Sequence, residues 1–298
     1  MTSVTVVGSL HLDIMVAAPR LPSLDETLFG SAWGTKCGGK GGNQAVAAAR
    51  FGSRVAFGGQ TGTDDFGLRL RRNLADAGVD IAHLSIDPAS GSGMSVAITE
   101  AGGEYGAVVV SGANLTIDAA KIAQEWEDLW SCKVLLLQNE IPEAVNLAAA
   151  RAAKLQGAMI VLNAAPAGQS GPEFLDLVDV LVVNRVEAAM LSGSENTDTA
   201  LQALHRPTRD VVLTRGAEGL SVIARNGRIS KLAALAVKMV SSHGAGDCFC
   251  GVLAARLAAG DGLGEACAYA RTAAGVFVAM TEECRHEISD QMVRERMI

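Results

Sequence analysis

Short runs of β-branched and aliphatic residues alternate with Ala-rich stretches along most of the chain, and this alternation restricts the fold more than any other feature. Val4 to Val7, Val134 to Leu137, Met159 to Leu162, Val180 to Val183 and Val211 to Leu213 read as buried strands. Asn43 to Phe51, Phe66 to Ala77, Ala119 to Trp130 and Glu143 to Gln156 read as helices. Phe66, Leu70 and Leu74 recur every four residues on one helix face, with Gly78 as a stop signal. Strands and helices in this order predict βαβ units, hence a mostly parallel α/β sheet covered on both faces. In such sheets ligands collect beyond the C-terminal strand ends.

Residues 13–36 and 93–110 break the pattern, being rich in Gly and β-formers without a helix. Met94 to Thr99 and Gly106 to Val110 flank a hairpin-like turn at 100–104, and Asn226-Gly227 marks a second hairpin. These two stretches are expected to form a small sheet standing off the body. With no Pro- or Ser-rich linker and no repeat, residues 1–298 read as one domain with this appended lid.

Composition excludes several classes. With 49% hydrophobic and 19% charged residues, the 298-residue chain has the material for a large core and is neither disordered nor collagen-like. A net charge of −7 argues against nucleic acid or a membrane surface as partner. No apolar run reaches the roughly 18 residues of a membrane span. No basic leader precedes Val4, so no signal peptide is expected. The six Cys form no C-x-x-C pair and no zinc spacing, which points to reduced thiols in the cytoplasm.

Two glycine strings carry the chemistry. Gly38-Gly39-Lys40-Gly41-Gly42-Asn43 precedes an Ala helix. Bare amides and Lys40 there suit a polar ligand, although Gly41 stands where a P-loop needs Ser or Thr. A plain turn before a helix is an equal reading. The second string is Ser241-Ser242-His243-Gly244-Ala245-Gly246-Asp247. The amides of residues 244–246 at a helix start can hold an anion, and Asp247 is either a helix cap or a general base beside that anion site. A cap alone needs no Gly-Ala-Gly run, which favours the base. Asp13, Glu140, Asn184 and Glu187 fall near expected strand ends, where each alone also reads as a loop carboxylate or turn residue.

Taken together the strings resemble a ribokinase-type member of the PfkB carbohydrate kinase family over almost the whole chain. Gly112-Ala113-Asn114, Leu135 to Gln138 with Glu140, Leu162-Asn163-x-Ala165-Pro166-Ala167 and Thr214-Arg215-Gly216-Ala217-x-Gly219 add to the two signatures. The resemblance implies a three-layer α/β/α core with a β lid, ATP and Mg2+ as cofactors, and a homodimer through the lid. It implies Asp247 as the base and the amides of Gly244, Ala245 and Gly246 as the phosphate cradle. Asp13, Gly39, Lys40, Asn43 and Glu140 match sugar-contacting positions. Asn184 and Glu187 match an N-x-x-E motif that organises magnesium, through water at Glu187, while Thr214, Gly216 and Gly219 match the nucleotide side.

Three places depart from the family pattern. Ser241-Ser242 replaces an Asp-Thr whose carboxylate helps hold a monovalent cation. Weaker dependence on K+ than in relatives is therefore the expectation; the alternatives are a cation held by backbone carbonyls or by Glu282 or Glu283, or a fixed side chain such as Arg285 or His243 taking over beside the amides. His11 replaces an Asn, which bears on whether ribose itself is the acceptor. Thr281-Glu282-Glu283-Cys284 replaces a Lys-Gly-Ala loop at the edge of the adenine and cation sites. The reading is an ATP-dependent sugar kinase with ribose as first acceptor. The alternatives are fructose or another ketose, a nucleoside (for which Phe29, Trp33 and Tyr105 offer little stacking), or a catalytically silent sugar-binding regulator.

Overall fold

A computed structural model describes residues 2–100, 105–168 and 170–297. Its strands are β1 Thr2–Val7, β2 His11–Ala18, β3 Ala32–Gly38, β4 Val55–Thr61, β5 Leu84–Ile86, β6 Met94–Glu100 and β7 Tyr105–Val110, followed by β8 Cys132–Gln138, β9 Met159–Asn163, β10 Val180–Asn184, β11 Asp210–Thr214, β12 Leu220–Ile223 and β13 Ile229–Leu232. The helices are α1 Lys40–Arg50, α2 Asp65–Asp76, α3 Ile122–Glu125, α4 Glu143–Leu155, α5 Pro172–Leu175, α6 Arg185–Ser192, α7 Thr197–Leu204, α8 Ala245–Ala259, α9 Leu263–Ala279 and α10 Asp290–Arg294.

Nine strands form one sheet in the order β13-β12-β11-β10-β9-β8-β1-β4-β5. It is parallel except for β12 and β13, the hairpin signalled by Asn226-Gly227. Successive residues of each central strand face opposite sides. Val134 and Leu136 pack with α1, α2, α8, α9 and α10, while Leu135 and Leu137 pack with α3 to α7. These are the three expected layers. Among the described residues no helix is long and apolar enough to cross a membrane.

The stretch read as one helix from Ala119 to Trp130 is instead the single turn α3 followed by a 3-10 turn at Glu127–Leu129. Buried indoles need a partner for their N–H. Trp130, 3% exposed, donates its Nε1 to the carbonyl of Ala123 at 3.1 Å. That carbonyl would otherwise accept from Glu127 in a continuous helix, so the tryptophan ends it. The α1 helix begins at Lys40, three residues earlier than Asn43, because the glycines themselves are helical.

A second sheet of four strands, β3-β2-β6-β7, uses the segments 13–36 and 93–110. Residues 101–104, the expected hairpin turn, lie outside the described residues. Register divides this sheet into two unlike faces. Ile14 pairs with Thr35 and Val96, Val96 with Val108, and Val16 with Trp33 and Ile98, giving an apolar face. Asp13 pairs with Lys36 and Ser95 on the other, polar face.

Candidate active site

Sheet order reverses between β1 and β8: the chain runs outward from β1 through β4 and from β8 through β11. Such a switch point opens a crevice beyond the strand ends. Here Ser9, after β1, donates its Oγ to Glu140 Oε2, after β8, at 2.5 Å. The backbone N–H of Lys40 donates to the same oxygen at 2.8 Å, and that of Gly42 to the Ser9 carbonyl at 3.0 Å. A Cβ at Gly41 would stand 2.6 Å from the Ser9 nitrogen. The glycines of the first string therefore let α1 settle onto the end of β1, and Glu140 fixes it there.

Lys40 Nζ lies 3.8 Å from Glu140 Oε1. Burial would lower its pKa, but the carboxylates of Asp247, Glu140 and Glu187 together raise it, so it stays cationic. On the polar face of the small sheet, Asp13 Oδ1 accepts from Ser95 Oγ at 2.5 Å. Gly38 leaves the space for this carboxylate: a Cβ there would meet Asp13 Oδ2 at 2.1 Å. His11 is buried, with Nδ1 3.8 Å from Glu140 Oε2. Burial lowers its pKa and Glu140 opposes this only in part. Glu140 thus joins His11 of the small sheet to Lys40 of α1 at the switch point, with Gly39 immediately before α1 and Asp13 two residues along β2 from His11.

Asn43 looks elsewhere. Its Nδ2 donates to Asp247 Oδ2 at 2.9 Å. Gln44, fully buried, donates Nε2 to Asp247 Oδ1 at 3.1 Å and to Asn163 Oδ1 at 3.0 Å. Two amides from α1 therefore orient the carboxylate at the start of α8. Sequence reasoning missed Gln44 and the role of Asn163; the available signal was a lone amide inside an Ala helix. Burial pushes the pKa of Asp247 up, while Lys40 and the Asn43 and Gln44 hydrogen bonds pull it back.

Gly244 enters α8 with φ +77, the left-handed region that favours glycine. The N–H of Ala245 donates to the Ser242 carbonyl at 3.1 Å. Among the described residues, the amides of Gly244, Gly246 and Asp247 have no protein acceptor. These free donors stand at the positive end of a fifteen-residue helix, beside the carboxylate. Of the three amides expected to form the cradle, that of Ala245 is already engaged.

Asn184 and Glu187 form a capping box at the start of α6. Glu187 Oε2 accepts from the Asn184 N–H and Oε1 from Asn184 Nδ2, both at 2.8 Å. Burial raises the Glu187 pKa and the Asn184 backbone bond lowers it. Both residues line a cavity of about 160 Å³ together with Lys40, Asn163 and Asp247. Thr214, Gly246 and Phe249 are common to its wall and to that of a larger, mainly apolar groove of about 400 Å³ that includes Gly216 and Gly219. The cavity at the Asp247 carboxylate and α6 thus adjoins the apolar groove through these three shared residues. All six cysteines are free thiols; Cys248, buried behind Asp247, has its pKa pushed up to about 12 by burial.

Comparison with known proteins places the chain in a family and a fold. Residues 1–286 match the model of the "pfkB family carbohydrate kinase". The chain is 32% identical over 282 residues to a ribokinase of Haemophilus influenzae, covering 93% of this chain and 92% of that protein. It is 30% identical over 258 residues to a deoxyribokinase of Salmonella typhi, covering 84% of each. A solved structure of Arabidopsis thaliana ribokinase complexed with ribose and ATP superposes with a TM-score of 0.89 at 25% identity, covering 99% of this chain and 98% of that one. A switch-point crevice, an aligned carboxylate and free helix amides, joined to a family match spanning residues 1–286, establish that the chain belongs to the pfkB family of carbohydrate kinases.

Proposed function

We propose that this protein is an ATP-dependent sugar kinase of the ribokinase type, transferring the γ-phosphoryl group to a pentose hydroxymethyl group. The observation that carries the reading is the pairing of Asp247, held by Asn43 and Gln44, with the free amides of α8. In this reading Asp247 accepts the proton of the attacking hydroxyl as the oxygen–phosphorus bond forms. The amides of Gly244 and Gly246 receive the negative oxygens of the transferring group, with that of Ala245 joining if it leaves Ser242. Lys40 neutralises charge from the opposite side of the cavity. Catalysis is then positioning plus charge stabilisation. Asp13 and Glu140 hold the sugar hydroxyls, supported by their place around the crevice, and Asn43 serves the base more than the sugar. Thr214, Gly216 and Gly219 border the adenine slot.

Magnesium fits this donor set. The described residues hold no cluster of three or more His, Cys, Asp or Glu that would bind a metal alone. Magnesium commonly keeps its waters and uses one or two carboxylates plus substrate phosphates. Glu187, with Asn184, lines the phosphate-sized cavity and would hold the ion through water. When bound, the ion neutralises charge on the phosphates.

The small sheet acts as a lid that excludes water, supported by the polar Asp13–Ser95 face toward the crevice. Its opposite face carries Trp33 at 76% exposure and Val108 at 66% and docks a second copy of the chain, giving a homodimer. The six unpaired thiols support a cytoplasmic setting.

The test is ADP release from ATP and magnesium with ribose, deoxyribose, fructose and a nucleoside, each also read by thermal shift. Turnover of a pentose above the others is expected. Thermal stabilisation by a sugar with no ADP release would overturn the kinase reading in favour of a silent binder.

A further inference from the structure

We propose that Arg285 is a built-in cation that positions the anion-binding turn of α8, so that the enzyme needs no monovalent metal ion. The proposal rests on the reading of that turn as the phosphate site.

Arg285 is 5% exposed although it lies in a surface 3-10 turn, Glu282–Glu287. Its Nη2 donates to the carbonyl of Ser241 at 2.6 Å and its Nη1 to that of His243 at 2.9 Å. These two carbonyls, two residues apart, converge on one point directly before Gly244. Converging carbonyl oxygens repel unless a positive group sits between them, and a buried one left unpaired costs stability. The guanidinium fills that place with a full charge and a planar fork of donors. It lies over the Phe277 ring of α9, 4.3 Å from the centroid.

The arrangement is built on several sides. Val240 and Ser241 donate their N–H groups to the Val278 carbonyl at 2.8 and 3.3 Å, tying the loop to α9. The Arg285 carbonyl accepts from Arg50 Nη1 at 3.2 Å, anchoring the arginine to α1. Glu282 Oε1 stands 3.7 Å from Arg285 Nη1 and 3.3 Å from Lys36 Nζ of β3. His243 gives this cluster its backbone alone: its carbonyl accepts from Arg285 and its N–H donates to the Ser241 hydroxyl at 3.4 Å, while burial lowers the pKa of its side chain. Ser241 supplies a neutral hydroxyl where a mobile cation would want a carboxylate, and the arginine supplies the charge instead. The guanidinium, being part of the chain, cannot exchange with solvent ions.

The test compares the parent protein with Arg285→Ala and Arg285→Lys in potassium or tetramethylammonium at equal ionic strength. Parent turnover is expected to differ less than about twofold between the two salts, under roughly 0.5 kcal/mol of barrier. Arg285→Ala should lose about tenfold or more in kcat in tetramethylammonium, with the sugar KM little changed, and recover several-fold in potassium. Arg285→Lys should keep more activity than Arg285→Ala. Independently of turnover, potassium should raise the melting temperature of Arg285→Ala and leave that of the parent unmoved. Tenfold or greater activation of the parent by potassium would overturn the proposal. So would a folded Arg285→Ala that is fully active in tetramethylammonium, or one that potassium neither reactivates nor stabilises. If Arg285→Ala does not fold, the parent salt profile and Arg285→Lys decide on the same criteria. If no sugar is turned over, the kinase reading fails, and the salt-dependent melting of Arg285→Ala still judges the arginine.

Discussion

Two helices of this protein start behind runs of glycine, and the two starts are put to opposite uses. At α1 the amides of Lys40 and Gly42 go to Glu140 and Ser9, and the glycines exist so that backbone can lie on backbone. At α8 the amides of Gly244, Gly246 and Asp247 have no acceptor among the described residues, and a Cβ built on Gly246 would meet nothing within 4 Å. One glycine run packs backbone on backbone, and the other leaves its donors unpaired beside a cavity. The difference lies in what stands opposite, a carboxylate from another strand end or an open cavity, and no local pattern of residues encodes it.

The largest expected effect tests the α8 side. Asp247→Asn keeps a side chain of the same shape but removes the proton acceptor. Turnover should fall by ~10²–10⁴-fold while sugar binding persists. Steady-state kinetics and calorimetry on the same preparation check this, and near-parent turnover would remove Asp247 from the mechanism.

A matched pair of glycine substitutions sharpens the comparison directly. Gly41→Ala forces a Cβ to within 2.6 Å of the Ser9 nitrogen and should destabilise the fold by about 1–3 kcal/mol, seen in denaturant unfolding. Gly246→Ala should leave stability equal or better, since Ala gains about 0.5–1 kcal/mol over Gly in a helix. Its methyl group projects into the cavity, so kcat/KM for ATP should drop by about tenfold to a hundredfold. If both variants lose stability alike, the two helix starts are not different in kind.

The crevice side is probed more gently by Asp13→Ala. Losing a carboxylate partner of a buried hydroxyl costs roughly 1–3 kcal/mol, so sugar affinity should weaken about tenfold or more with the ATP KM little changed. Unchanged sugar affinity by calorimetry would mean that the polar face of the small sheet does not meet the acceptor.

The smallest effect concerns pH. Burial raises the folded-state pKa of Asp247, so the folded protein binds that proton more readily than the unfolded chain. Stability from this group is present below the ordinary Asp pKa and is lost as pH rises through the raised value. Asp247→Asn removes the loss, so its melting temperature relative to the parent should climb between acid and neutral pH. Parent turnover should fall as pH drops through the same raised value. A melting difference independent of pH would show that the carboxylate is not held against its solvation preference.

Much of this was legible because the signals were local. Val180 to Val183 and its neighbours are short, apolar and β-branched, and became central strands. Asn226-Gly227 turned a hairpin as its backbone preference requires. What escaped depends on residues distant in sequence. The indole of Trp130 ended a helix by taking a carbonyl seven residues back. The hydrogen bond of Asn43 to a carboxylate 204 residues away, at 2.9 Å, had no local signal. Gln44 and Asn163 carried no motif, and their bridge to Asp247 becomes visible only when α1 packs against α8. Asn184 and Glu187 were legible as a motif, but their capping of α6 shows that local geometry alone already explains the spacing.

The position of β1 has a consequence for how the molecule assembles. The first strand of the chain lies between β4 and β8, deep in the sheet, and the helices that seal its near face include α8 and α9, more than 230 residues later. Closing such long loops is entropically slow and precedes any reward from the contacts made. Val4, Val6 and Val134 share one buried cluster with α1, α2, α8 and α9, so that face is sealed in full only when α8 docks, and only then does Asn43 meet a carboxylate to orient. Sealing that face and bringing the Asp247 carboxylate to Asn43 and Gln44 thus both wait on the docking of the same late helix.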